Sequence, residues 1–558
     1  MLSDDILFNT FRHYLDANPR LWPVLASVSK RWRRIILTSP LGLNLRLHCT
    51  HSTPVLKALV FWPALPIVVL YGGIPDLDPP TSTDDDNIIA ALKESDRVIY
   101  ISLTLTKSLV EKLSAISEPF SGLEELSLLA RDSLQPTLPS TFRWGPRLRT
   151  LESTGISFPS FPQLLLPSQG LVDLRVHEIP ITGYFSPYTF ASALSGMTNL
   201  RSLSLHFLSL PPRRRYLGLP PPSGERFVLP SLTYLKYQGT SKYLDNFVAR
   251  IDAPRLGDIN ITFFYQPTMD AFQFGRFIER IEMQTSLIRA DVETSAKAIS
   301  VSFTDSSTRA PLRVQISCKR ADWQLSCMAQ VFDQFSPIPS RVEELRINTT
   351  QSLSEQDDVD GEQWLELILA FAGAKNIRMV ASSKLVTDIL RVLPAANGNN
   401  ATALRHLHVE DPLAMNVPLW DAFQSSRRLS GHPVELQISC HICKDSFARL
   451  QVLKRHLRDM HGYRTMCLYC SDFECTLGQG NLFREHLKDK HPEVARNDAL
   501  ISSRAIYAPE ISRFVERHSS LCASEIPKPS TTPSITPPVP TRRTFPRNTD
   551  TEAPWSQN

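Results

Sequence analysis

The chain has almost no excess charge of either sign: among 558 residues, 60 lysines and arginines meet 56 aspartates and glutamates, a formal net charge of +4. So even a balance excludes nucleic-acid binding by the chain as a whole and confines any such role to a local patch. Long apolar runs are also missing. The most apolar stretch, Ala58 to Tyr71, is shorter than the roughly 20 residues a spanning helix needs, and Pro63 and Pro66 interrupt it; it is expected to be a buried strand. Asp4 and Asp5 stand where a secretory leader would be basic. There is no phosphate-binding glycine loop, nucleophile elbow or metal–water motif, so an enzyme is the least expected class. A soluble intracellular protein is expected, nuclear or cytoplasmic and without a membrane partner. At this length several domains or one elongated repeat array are expected rather than a single core.

Disulfide patterning is absent as well. Of nine cysteines, Cys440, Cys443, Cys467, Cys470 and Cys475 cluster beside histidines, whereas Cys49, Cys318, Cys327 and Cys522 are scattered and read as free thiols. Such clustering indicates metal ligation in a reducing compartment. The spacing Cys440-x2-Cys443-x12-His456-x4-His461 points two thiolates from one turn, and two imidazoles from a following helix, at a single tetrahedral site. Phe447 and Leu453 supply nearly the whole core of a unit too small to fold without its ion. All four positions are protein ligands, so the ion is structural. A second set, Cys467-x2-Cys470-x15-His486-x4-His491, has a longer spacer, with Phe473 and Phe483 as its small core and Cys475 as a competing ligand. Two Zn2+ ions are therefore expected.

Both sets resemble the C2H2 zinc-finger family, in which a ββα unit commonly lays its helix in the DNA major groove. The resemblance implies Arg449, Val452 and Arg455 as base-reading positions of the first finger. In the second finger the equivalent places are Gln479, Leu482 and Glu485, which are poor base readers, and the linker between the fingers is short. Two fingers read only about six base pairs. Structural or protein-binding use stands beside nucleic-acid binding.

A different rhythm fills the middle of the chain. Strings such as Leu123-Glu124-Glu125-Leu126-Ser127-Leu128 place apolar residues at offsets 0, 3 and usually 5. They recur from Leu148, Leu171, Leu200, Leu232 and Leu256, at intervals of 25, 23, 29, 32 and 24 residues. Val98 opens an earlier copy, and Val342 and Leu404 open later ones. This is the strand signature of leucine-rich repeats, whose stacked units share a core that none can form alone. No asparagine ladder accompanies it, so the repeats are irregular, and a generic α/β domain whose strands begin with leucine is the plainer alternative. Gln363 to Ala372 reads as an amphipathic helix, residues 211–225 as an exposed Pro/Arg-rich insertion, and the chain from Leu521 as a disordered Pro/Ser/Thr-rich tail.

The first 40 residues read as short helices, opened by Ser3-Asp4-Asp5 as N-cap and acidic first turn and broken at Pro19 and Pro40. Leu2-Ser3-Asp4-Asp5-Ile6-Leu7, then Leu25 and Val28-Ser29-Lys30-Arg31-Trp32, resembles the F-box. With the repeats behind it, the arrangement is similar to F-box-like proteins of mushroom-forming fungi. The resemblance implies an adaptor-docking surface of Leu2, Ile6, Leu7, Leu25, Val28 and Trp32 for a Skp-type adaptor of a cullin ubiquitin ligase, with a protein substrate held by the repeats. A plain helical cap on the repeat core is the alternative. The expected architecture is α/β: an F-box-like helical segment over 1–50, an irregular leucine-rich-repeat solenoid over 51–430, tandem ββα zinc fingers over 436–494 and a tail over 521–558. The expected function is a ligase substrate receptor with accessory fingers, or alternatively a nucleic-acid-binding zinc-finger protein.

Overall fold

A computed structural model of the chain describes residues 2–17, 22–38, 44–62, 65–72, 81–130, 135–158, 160–209, 226–281, 287–305, 311–318, 320–335, 338–349, 361–380, 383–392, 403–410, 417–429, 431–440, 443, 445–448, 450–461, 464–466, 474–476, 485–486 and 488–490. The expected insertion at 211–225 and the tail from Leu521 lie outside them. The chain divides into two compact units, Met1–Arg455 and His456–Asn558, the division falling inside one helix, Leu450–His461.

All nine leucine-type strings become strands: Val98–Leu105, Glu125–Ala130, Thr150–Thr154, Asp173–Ile179, Ser202–Phe207, Tyr234–Gly239, Asp258–Phe264, Glu344–Thr349 and His406–Val409. The first seven of these pair parallel, each with the next. Their registers align the third-offset residues in one column: Ile101, Leu126, Leu151, Leu174, Leu203, Leu235 and Ile259, every one at most 1% exposed. Because strand side chains alternate, the intervening positions form a second row on the other face: Ser127, Glu152, Arg175, Ser204, Lys236 and Asn260. One face is thus an apolar column and the other a polar row. Short helices return between strands. Helices Phe161–Leu165, Pro187–Leu194 and Ser241–Val248 bury Phe161, Phe190 and Phe247, whose rings meet at 6.3 Å and 5.5 Å. Each such buried ring stabilises the fold by about 2–3 kcal/mol.

The sheet also holds strands that the leucine rhythm does not announce. Leu45–His48 and Ile67–Tyr71 open it, and Asn376–Val380 and Glu435–Ser439 extend it, each pairing parallel with the strands named so far. Between Asp258–Phe264 and Glu344–Thr349 an antiparallel insert intervenes, with Leu312–Ser317, Ala298–Thr304 and Arg289–Ser295 in spatial order. The apolar stretch Ala58–Tyr71 is not one strand. Its first part belongs to helix Val55–Phe61 and only its end to strand Ile67–Tyr71, because the prolines between them break both patterns. The amphipathic helix expected over 363–372 spans Gly361–Ala370.

Three helices, Asp4–Ala17, Trp22–Val28 and Lys30–Thr38, precede the sheet. The Ile6 N–H donates to the Ser3 hydroxyl at 3.3 Å, as an N-cap requires. Phe11, Leu15, Ala26, Ile35 and Ile36 form the buried core of this cluster. The chain is therefore mixed α/β with a large, mostly parallel sheet. No described helix is long and apolar enough to cross a membrane.

Candidate metal centre

The local structure around the first expected ligand set begins inside the sheet. Strand Glu435–Ser439 pairs parallel with His406–Val409 on one side, aligning Val409 with Ile438. On its other side it pairs antiparallel with Ser446–Phe447, aligning Ile438 with Phe447 and Ser439 with Ser446. One strand thus closes the large sheet and opens the hairpin of a ββα unit. The Cys440 N–H donates to the Asp445 carbonyl oxygen at 2.8 Å, which continues the hairpin to the first cysteine and shapes the Cys-x2-Cys turn. Helix Leu450–His461 follows; its Leu453 is fully buried, and Phe447 on the preceding strand is half-buried.

Among the described residues, one group of metal-competent side chains converges: Cys440, Cys443 and His456, with ligand atoms all within 4.8 Å of one another. Cys440 is fully buried, His456 half-buried and Cys443 exposed, and neither cysteine is in a disulfide. Around zinc, sulfur and nitrogen ligands lie about 3.5–3.8 Å apart, given bonds of roughly 2.0–2.3 Å in a tetrahedron. The observed separation needs only a small contraction to reach that geometry. The Cys443 thiol is held above its ordinary value, first by desolvation and further by the Asp445 side chain and the neighbouring Cys440 sulfur. Two thiolates this close repel one another unless a cation lies between them, so the donor set fits a soft divalent ion.

His461 ends the same helix, but its side chain lies outside the described residues. On a straight α-helix two positions five apart diverge by about 140°. The last turn must therefore depart from ideal geometry for His461 to complete the site beside His456. Arg449 also lies outside the described residues, whereas Val452, 45% exposed, and Arg455 stand on the outer surface of the helix.

In the second compact unit, strands Arg464–Met466 and Glu474–Thr476 pair antiparallel with Thr465 opposite Cys475. They bracket residues 467–473 as the first hairpin brackets Cys440 and Cys443. Cys475 thus occupies a strand position rather than the turn. Cys467, Cys470 and His491 lie outside the described residues, and His486 is half-buried on a short helical stretch.

The six expected docking residues separate into two groups. Leu2, Ile6 and Val28 are 58%, 52% and 58% exposed, Leu25 is half-buried, and Leu7 is 6% exposed. Trp32 packs its ring 4.7 Å from that of the buried Phe11. Leu7 therefore belongs to the cluster's own interior, and Trp32, half-buried, borders it through Phe11. Val24, 59% exposed, was not singled out from the sequence; it precedes Val28 by one helical turn and shares its face.

Compared with known proteins, the chain matches no family model and no curated protein.

Proposed function

We propose that the chain is a zinc-binding recognition protein, a substrate-receptor subunit of a cullin-type ubiquitin ligase that binds rather than catalyses. The observation that carries this reading is the exposure of large apolar residues at the start of the first helix and along the second helix of the amino-terminal cluster. Leu2, Ile6, Val24 and Val28 are more than half exposed although the helices have a core of their own in Phe11 and Ile36. The start of the first helix is held to the third: Arg31 pairs with Asp4 at 2.7 Å and donates to the Leu2 carbonyl oxygen at 2.6 Å. Apolar surface fixed on folded helices beside charged groups is suited to a protein partner such as a Skp-type adaptor. The repeated parallel sheet behind it, leucine-rich-repeat-like in its register, supplies a long polar row on which a protein substrate could be held. Zn2+ at Cys440, Cys443 and His456, completed by His461, would be structural, and a second ion at Cys467, Cys470, His486 and His491 would order the following finger.

Pull-down of a Skp-type adaptor by the full-length chain tests the reading. Capture that is lost in Ile6→Asp and in Val28→Asp, with the melting temperature unchanged, supports it; a folded wild-type chain that captures no adaptor rejects it. Trp32→Ala is a poor probe, because its ring packs against the buried Phe11.

A second reading, nucleic-acid binding by the fingers, is favoured by one observation: Val452 and Arg455 both face outward on the first finger's helix. Weak salt dependence of DNA binding, or no binding at low salt, would remove it.

A further inference from the structure

The leading leucine of each repeat unit has a consequence for its neighbours. Leu123, Leu148, Leu171, Leu200 and Leu232 are fully buried. The residues on either side of Leu148, Leu171, Leu200 and Leu232, and Glu124 after Leu123, are exposed or half-buried. In successive units these flanking residues are Arg147 and Arg149, Gly170 and Val172, then Asn199 and Arg201, with Glu124 before them and Ser231 after. Together they line an open cleft of about 570 Å³ along the leading ends of the strands.

The cleft is cationic. Arg147, Arg149 and Arg201 are all exposed, and none has an ion-pair partner among the described residues. Elsewhere in the same unit arginines are routinely paired: Arg97 with Glu94, Arg280 with Asp252, Arg289 with Glu344 and Arg378 with Glu410. The backbone bonds Val172 N–H to Arg149 O and Arg201 N–H to Val172 O, both 2.8 Å, set the two arginines on either side of Val172. At ordinary strand spacing their backbones lie about 10 Å apart, within reach of one tetrahedral anion for both guanidinium groups. Gly170 leaves the floor without a side chain, and a Cβ there would stand 3.2 Å from the Pro146 carbonyl oxygen. Asn199 and Ser231 add neutral hydrogen-bonding groups at the rim.

We infer that this cleft binds a phosphorylated segment of a protein, with the phosphate between Arg149 and Arg201 and Arg147 alongside. Three guanidinium charges against the single Glu124 carboxylate match a phosphate monoester, which carries about −1.5 to −2 near neutral pH. A nucleic-acid backbone is a poorer match, because Glu124 would face one of its successive phosphates and the cleft is short. The inference deepens the receptor reading by naming the class of captured segment. It is measured without any adaptor, so failed adaptor capture would leave it standing.

The test uses the full-length chain and two degenerate peptide pools that differ only in a central phosphoserine or serine, with inorganic phosphate as competitor. The phosphorylated pool should be retained selectively and displaced by phosphate. Arg149→Ala and Arg201→Ala should each weaken retention on the order of tenfold, the double variant more, with unchanged melting temperature because both side chains are exposed. Glu124→Gln should strengthen it. Equal retention of the two pools, or retention unaffected in the double variant, overturns the inference. So does a single-stranded oligonucleotide whose binding depends on these arginines more steeply than that of the phosphopeptides.

Discussion

Removing the proposed Zn2+ from Cys440, Cys443 and His456 should do more than unfold the small hairpin–helix unit around it, because strand Glu435–Ser439 belongs to two structures at once. Its attachment to the large sheet spans four register positions, Glu435 to Ile438 against His406 to Val409. At about 1 kcal/mol net per hydrogen bond, that pairing contributes roughly 4 kcal/mol. Burial of Ile438 and Val434, 0% and 2% exposed, adds about 4 kcal/mol more. Ordering this segment costs on the order of 1–2 kcal/mol per residue, which offsets the gain almost entirely. The proposed zinc ion, whose binding contributes about 10–16 kcal/mol in isolated fingers, would then decide whether the strand stays docked. Hydrogen exchange on the full-length chain, with and without a chelator, reads this directly. Amides of 435–439 should lose protection on chelation and in Cys440→Ser, those of 406–409 should follow in part, and those of Glu125–Ala130 and Ser202–Phe207 should not change. Unchanged protection of 435–439 in a sample verified to be metal-free would refute the reasoning.

Three further outcomes are expected. Leu203→Ala opens a cavity in the middle of the apolar column and should cost about 2–5 kcal/mol, read as a lower denaturant midpoint; a loss below about 1 kcal/mol would mean the column is not close-packed. Trp32→Ala should lower the stability of the amino-terminal cluster, whereas Ile6→Asp should not, and circular dichroism melts separate the two. His177 and His206 both titrate below the ordinary value of 6.5, first through desolvation, then through Lys236 for His177 and through His177 for His206. Their folded-state values are depressed, so the unfolded chain binds protons more readily. Stability should be full above pH 6.5 and fall as the pH drops below it, and the double variant His177→Gln, His206→Gln should flatten that slope.

Much of the sheet was legible because a buried leucine at a fixed offset leaves the same mark in every unit. Even so, every repeat strand after Val98–Leu105 begins two residues after its string, at Glu125 rather than Leu123, although the leading leucine is already buried. The antiparallel insert was not legible in those terms. Ile299, Val301 and Phe303 alternate with a period of two and carry no leucine spacing, and their neighbours in the sheet are set by topology. Three residues expected as ligands of a first metal site, Cys440, Cys443 and His456, followed from spacing alone, and their ligand atoms do converge. That the preceding strand is shared with the sheet did not follow, because strand partners far apart in sequence leave no local trace. The expected docking set was half legible: helical period groups Leu2, Ile6 and Leu7 near one another, but only the fold shows that Leu7, 6% exposed, is buried while the other two are not.

The most direct test is native mass spectrometry of the intact chain, with metal content measured in parallel. Two zinc ions per chain are expected, with one lost in Cys440→Ser and the other retained. A wild-type chain that binds no zinc, or a Cys440→Ser variant with undiminished zinc, would contradict the account.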